Sequence, residues 1–440
     1  MLKRIFSAFL IICLIFIPTF TVSAYEPTGF EITAKSAMLV SLDTNEVLFE
    51  KNADDKVYPA SITKIMTTLL ILESDKYDPN AKIAMTEEAL DLVSGTGSSV
   101  SLLKAGEEIS QLDLVYMVLM SSYGDCALLA AEYYCGSVEN FVAQMNARAA
   151  ELGLEGTHYE NPIGLHSEQN YTTARDTYTL TAFALQNQTY KEVCESTRHT
   201  VPATNMSGER TLSTTNFLQD NTTENYYSYA KGVKTGYTDE AGRCLVSTAS
   251  YNGYNYICVV FGCPPDKKNH FTESKELYRW AFNNFEFKKV ADSENPVAEI
   301  AVDLSLNTDF VSLYIEDGFV SILPKDADDS TISIVAKPIS EKVDAPIKKG
   351  DVLGTADIIY AEQVIGTVNL VSNEDVEKST MLAVLRTVKN FFTSSYMKVV
   401  YIIIAAAVII FIIAIIKMNS TGKKKRKIKY MPYDEDKKQR

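Results

Sequence analysis

The spacing of apolar positions predicts a mixed α/β segment, then a short-period segment, then two helical runs of different character. Ala37 to Leu42 and Glu46 to Glu50 read as short, largely apolar strands joined by the turn Asp43-Thr44-Asn45. Ile62, Ile65, Met66, Leu69 and Leu70 then recur at helical spacing, with Pro59 just ahead of the helix start, where its fixed φ is favourable. From about Met85 to Leu185 the period is helical, with helices predicted over 112–120, 125–134 and 137–152. Ser137 caps the last of these and Gly153 ends it. Strands return over 230–235, 244–249 and 256–261, and Asn252-Gly253 between the last two is a type I′ hairpin signal. Strands on both sides of a helix-rich block predict one α/β domain over 25–285 whose sheet uses both ends of the segment.

Beyond Phe285 the period falls to two. Ile300, Val302 and Leu304, then Val311, Leu313 and Ile315, then Ile332 and Ile334 alternate with polar or small residues, which predicts a small all-β domain over 286–372. Within 373–398, Met381, Val384, Leu385, Val388 and Phe392 form an apolar stripe at helical spacing. Such a stripe suits a membrane surface, a coiled-coil partner or packing on a domain. Val399 to Ile416 carries no charge, and eighteen residues at ~1.5 Å each span ~27 Å, enough for a transmembrane helix. Lys417, Lys423, Lys424, Lys425, Arg426, Lys427 and Lys429 follow it, so the tail 417–440 is expected in the cytoplasm and the rest outside. At the other end Lys3 and Arg4 precede an apolar run, and Val22-Ser23-Ala24 follows it. That pattern predicts a signal peptide over 1–24 with Tyr25 as the mature start; an uncleaved anchor is the alternative.

Composition narrows the function classes. With 46% hydrophobic and 22% charged residues the chain is ordinary globular protein. Its net charge is -14 and its basic residues concentrate at the two ends, so the middle is acidic and no nucleic-acid partner is expected. Cys13 falls in the signal segment. Cys126, Cys135, Cys194, Cys244, Cys258 and Cys263 form no CxxC and no paired ligand spacing, so neither a metal nor a cofactor is expected. Most of them read as small core residues.

Ser61 and Lys64 stand three apart at the start of a predicted helix, close enough for the amine to take the hydroxyl proton. The spacing alone is weak, because it recurs at Ser101/Lys104, Ser395/Lys398 and Ser420/Lys423. Only Ser61 joins it to a helix N-terminus, whose dipole and free N–H groups suit a developing oxyanion, and to an apolar helix able to desolvate the lysine. An N-capping serine beside an unrelated lysine is the plainer alternative. Lys234-Thr235-Gly236, at the end of a predicted strand, shifts the balance. A given tripeptide is expected roughly 0.1 times in such a chain, and the glycine lets a substrate backbone approach while lysine and threonine face a carboxylate.

Tyr58-Pro59-Ala60-Ser61-Ile62-Thr63-Lys64, with Gly232-Val233-Lys234-Thr235-Gly236-Tyr237-Thr238 and Ala241-Gly242 far downstream, resembles the low-molecular-mass penicillin-binding proteins, nearest the serine-type D-alanyl-D-alanine carboxypeptidases. Asn161-Pro162-Ile163-Gly164-Leu165 and Tyr171-Thr172-Thr173-Ala174-Arg175-Asp176 add to the likeness, and Ala345-Pro346-Ile347-Lys348-Lys349-Gly350 resembles the family's C-terminal domain. The resemblance implies a penicillin-binding/β-lactamase-like α/β fold, an antiparallel sheet with a helical cluster. It implies Ser61 as nucleophile, Lys64 as base, Lys234, Thr235 and Gly236 at the substrate carboxylate, and the N–H groups of Ser61 and Tyr237 as oxyanion hole. The implied partners are the peptidoglycan stem peptide and β-lactams as covalent inhibitors.

Two departures stand out. The family's serine-x-asparagine motif aligns with Ser122-Tyr123-Gly124, so Ser122 is kept as proton shuttle while the asparagine is lost. Nothing, a water or the Tyr123 hydroxyl stands in for the amide; if nothing does, Gly124→Asn should raise acylation, and the Tyr123 hydroxyl is the reading favoured from sequence. Relatives carry an arginine where His270 stands; His270 reads either as a substrate contact or, more simply, as a surface histidine. A weakly active or non-catalytic cell-wall protein and a class A β-lactamase are the rival functions.

Overall fold

Five strands carry the sheet against which the Ser61 and Lys234 motifs lie: β1 (Ser36–Ser41), β2 (Val47–Lys51), β3 (Ala230–Thr238), β4 (Gly242–Tyr251) and β5 (Tyr254–Cys263), in the order β2-β1-β5-β4-β3. The computed structural model describes residue 27 and residues 29–266 and 269–421; the expected signal peptide and the tail from residue 422 lie outside them. Every neighbouring pair is antiparallel, and β1 joins the two halves of the sheet by pairing with β5 from Ser36↔Phe261 to Ser41↔Tyr256. Both predicted hairpins are present. Asn252 and Gly253 have φ of 52° and 87°, as a type I′ turn requires.

The sheet is covered on both faces, which is why its strands read as nearly continuous apolar runs. Met38, Val40, Val246, Ile257, Val259 and Phe261 pack into a helical cluster, while their neighbours Ala37, Leu39, Leu245, Tyr256, Cys258 and Val260 pack the other way. The first cluster includes α1 (Lys64–Glu73), Gln111–Leu119, α2 (Gly124–Cys135) and Val138–Glu151; the second is closed by α3 (Asn269–Asn284). Ser110, Ser137 and Thr173 accept hydrogen bonds from the backbone N–H of Asp113, Asn140 and Asp176, capping three helices. Helix α3 escaped the periodicity reading because its buried face mixes His270, Glu273 and Ser274 with Phe271, Leu277 and Tyr278. The pairs Lys82–Ala84 with Glu108–Ser110 and Arg198–Val201 with Arg210–Ser213 escaped because three or four residues are too few to show a period.

Downstream, Phe285–Ala291 pairs with Phe319–Pro324, and a separate six-stranded sheet has its core at Ile300, Val302, Val311, Leu313, Ala356 and Leu370. The chain divides into two compact units, but not at one point. The first runs through Val290 and includes Phe319–Ser333 and Ile359–Ile365; the second holds Ala291–Gly318, Ile334–Ile358 and everything from Gly366. In the second unit α4 (Thr380–Thr393) is held by Arg386, whose guanidinium donates to Asp303 and Asp344 at 2.6 Å each. Its stripe, with Val384, Leu385, Val388 and Phe392, stays exposed. Helix α5 (Ser395–Thr421) contains a stretch of mean hydropathy 3.4 with none of it buried, long and apolar enough to cross a membrane.

Candidate active site

Ser61 lies in the single 3₁₀ turn Ala60–Thr63 that runs into α1, so it stands just ahead of the α-helix and not at its first residue. Lys64 is the first α-helical residue and is fully buried. Its Nζ is 3.0 Å from Ser61 Oγ and donates to Ile163 O at 2.6 Å. One turn on, Thr67 Oγ1 donates to Pro162 O at 2.6 Å, fixing the same segment a second time. Asn161 Oδ1 accepts from the N–H of Gly164 at 2.7 Å and of Leu165 at 2.9 Å, which curls the segment. Gly164 has φ +82°, and a Cβ there would run into Ala60 O, so bare backbone is needed against the serine turn.

Burial disfavours the ammonium form of Lys64 and pushes its pKa down to about 7, although the Asp125 carboxylate works the other way. Lys234 is buried on β3, donates to Thr235 O at 2.9 Å, and is pushed well below the ordinary lysine range by burial and then by Lys64. Thr235 Oγ1 donates to Thr215 Oγ1 at 2.6 Å. Strand β3 is the open edge of the sheet, and it closes on the serine turn at Gly236, where a Cβ would be 3.0 Å from Pro59 O and 3.2 Å from Ile62 N.

Two adjoining clefts open at Ser61 and Tyr237. The larger, about 610 Å³, runs past Ser98, Ser99, Gly164 and His166. The smaller, about 320 Å³, is walled by Ser122, Thr235, Arg243 and His270. Ser122 is buried and has φ +66°, outside the conformations an L-residue prefers. Tyr123 lies outside the walls of both clefts: it packs against the helical core, with its hydroxyl beside Ser121. At Gly124 a Cβ would collide with Ser98 Oγ and come within 3.1 Å of Ser98 Cβ and 3.2 Å of Val93 Cγ2. The room an asparagine would need is taken by the loop through Ser98.

His270 is no surface histidine. It is 3% exposed, its ring 3.9 Å from that of Phe271. Arg243 was not singled out from the sequence, yet it shares the smaller cleft with Ser61. The available signal was register, since β3 and β4 pair Tyr237 with Arg243 across the edge hairpin. Among the described residues no group of three His, Cys, Asp or Glu side chains is placed to hold a metal, and all six cysteines there are free.

An antiparallel sheet flanked by helices, with a serine-lysine turn against a Lys-Thr-Gly edge strand, defines a serine acyl-transfer fold of the penicillin-binding type. The family described as D-alanyl-D-alanine carboxypeptidase matches residues 20–264, and that described as the C-terminal domain of penicillin-binding protein 5 matches residues 285–378. The D-alanyl-D-alanine carboxypeptidase DacF of Bacillus subtilis is 32% identical over 89% of this chain and 99% of its own length. DacC of Escherichia coli is 30% identical over 84% of this chain and 90% of its own. Penicillin-binding protein 5 of Haemophilus influenzae superposes with a TM-score of 0.65 at 28% identity, covering 80% of this chain and all of that one. The chain belongs to the D-alanyl-D-alanine carboxypeptidase family and is a serine-type enzyme of that class.

Proposed function

We propose that Ser61, Lys64 and Ser122 remove the terminal D-alanine from peptidoglycan stem pentapeptides through an acyl-serine intermediate. The observation that carries this is Lys64 Nζ at 3.0 Å from Ser61 Oγ, with burial holding the amine near neutrality. Ser61 Oγ forms the bond to the carbonyl carbon between the two D-alanines as its proton passes to Lys64. The C–N bond then breaks, and the leaving amine takes that proton through Ser122. Water cleaves the ester, freeing the shortened peptide and restoring Ser61. Backbone N–H groups of Ser61 and Tyr237 hold the oxyanion, and Lys234, Thr235 and Gly236 bind the carboxylate side.

The catalytic domain, 25–285, would work outside the membrane, anchored by the C-terminal helix with its tail in the cytoplasm, and β-lactams would acylate the same serine. Neither a class A β-lactamase nor a non-catalytic wall protein is favoured, since the relatives that span nearly the whole chain are named carboxypeptidases. The test is labelling by a fluorescent penicillin. Wild type is expected to label covalently and Ser61→Ala not at all; labelling of Ser61→Ala at the wild-type rate sinks the assignment.

A further inference from the structure

Any carboxypeptidase must recognise a free C-terminal carboxylate, and three cationic side chains surround Ser61. Lys64 is committed to Ser61 and Ile163 O. Lys234 is buried, aimed at Thr235 O, and stripped of much of its tendency to carry charge. The third is Arg243, half-buried in the wall of the smaller cleft together with Ser61, Ser122, Thr235 and Tyr237. A guanidinium keeps its charge at every working pH and presents five donors in a planar fork matched to a carboxylate.

Arg243 is held in place by a backbone carbonyl and an aromatic ring. Its Nε donates to Pro265 O at 3.0 Å and its guanidinium lies 5.1 Å from the centre of the Tyr237 ring. Among the described residues no carboxylate lies within 4.0 Å of it. Both strands of the hairpin fix its position, because Tyr237↔Arg243 is a paired position of β3 and β4. Nε is occupied and the ring covers one side, so the terminal nitrogens remain for a ligand. The other candidate at this wall, His270, is a shorter side chain buried against Phe271.

We propose that Arg243 receives the C-terminal carboxylate of the peptide and so determines the preference of this enzyme for a free chain end. The inference rests on the carboxypeptidase reading above. It is tested on the full-length protein with two synthetic peptides ending in D-Ala-D-Ala, one a free acid and the other its C-terminal amide.

Arg243→Gln is expected to lower the acid-over-amide ratio of kcat/KM by roughly ten- to hundred-fold, the range for losing a charge-assisted contact. Most of the fall should lie in KM for the acid, and Arg243→Lys should recover part of the ratio. A ratio unchanged in both variants, whether or not overall rates fall, overturns the inference alone. A folded wild type that releases no D-alanine from the acid overturns the carboxypeptidase reading and this inference with it.

Discussion

Two residues beside the reacting groups sit where L-residues rarely do: Ala60, φ +46°, precedes Ser61, and Ser122 itself has φ +66°. A left-handed residue costs about 1–2 kcal/mol, so the surrounding packing has to hold both turns. In the proposed mechanism Lys64 is the residue whose protonation state sets the rate of acylation. With its pKa pushed down to about 7, the neutral amine needed to accept the serine proton is scarce in acid and dominant in mild alkali. Penicillin acylation of the free enzyme should therefore rise with pH through about 7, roughly ten-fold per unit below it, and level off above. Stopped-flow labelling between pH 5 and 9 checks this. A flat profile across that range excludes Lys64 as the base, and a rise that shows no levelling by pH 9 excludes the lowered pKa.

At the scale of elements, the start of α2 and the loop before it form one unit. Asp125 accepts from Ser101 N at 2.9 Å and Ser101 Oγ at 2.6 Å, and Gly124 N donates to Ser99 O at 2.8 Å. These bonds hold Ser98 where a Cβ on Gly124 would lie, which goes against the alternative in which an asparagine there speeds acylation. Gly124→Asn should destabilise the protein by about 1–3 kcal/mol, as overpacking does, and should slow penicillin acylation. Adding Ser98→Gly should recover much of both losses. Thermal melts and labelling rates of the single and double variants decide it; a Gly124→Asn enzyme that is faster than wild type refutes this account. The strands and long helices were legible because burial on one or both faces leaves a regular apolar record. Helix α3 left a blurred one, because His270, Glu273 and Ser274 share its buried face with Phe271, Leu277 and Tyr278, and the loop through Ser98 is held by polar contacts to α2.

On the scale of the whole molecule, the cores that carry Ser61 and Lys234 do not draw on the apolar helix. Every residue of the two cores around the sheet lies between Ile32 and Ile322, and the apolar stretch of α5 has no buried part. Deleting residues 396–440 should give a soluble protein whose kcat/KM for D-alanine release is within about two-fold of the full chain, because a domain with its own core keeps its site. A truncated protein with native circular dichroism and no activity would assign α5 a part in catalysis. The unit boundaries also bear on how the chain is cut: Ile322 packs into the second core, so ending the chain near residue 285 removes a core residue.

The sequence by itself determined the α/β class, the alternating β segment, the apolar span and the Ser61, Lys64 and Lys234 motifs. Periodicity and short-range spacing are local properties, written wherever neighbours along the chain share one environment. Only the tertiary structure decided that Ile163 O and Gly164 close on Lys64 and the serine turn, that Ser98 fills the room beside Gly124, and that Arg243 faces the cleft. Each of those depends on segments brought together from 26 to 182 positions apart along the chain, and no local pattern records which distant backbone or side chain will close against a given residue.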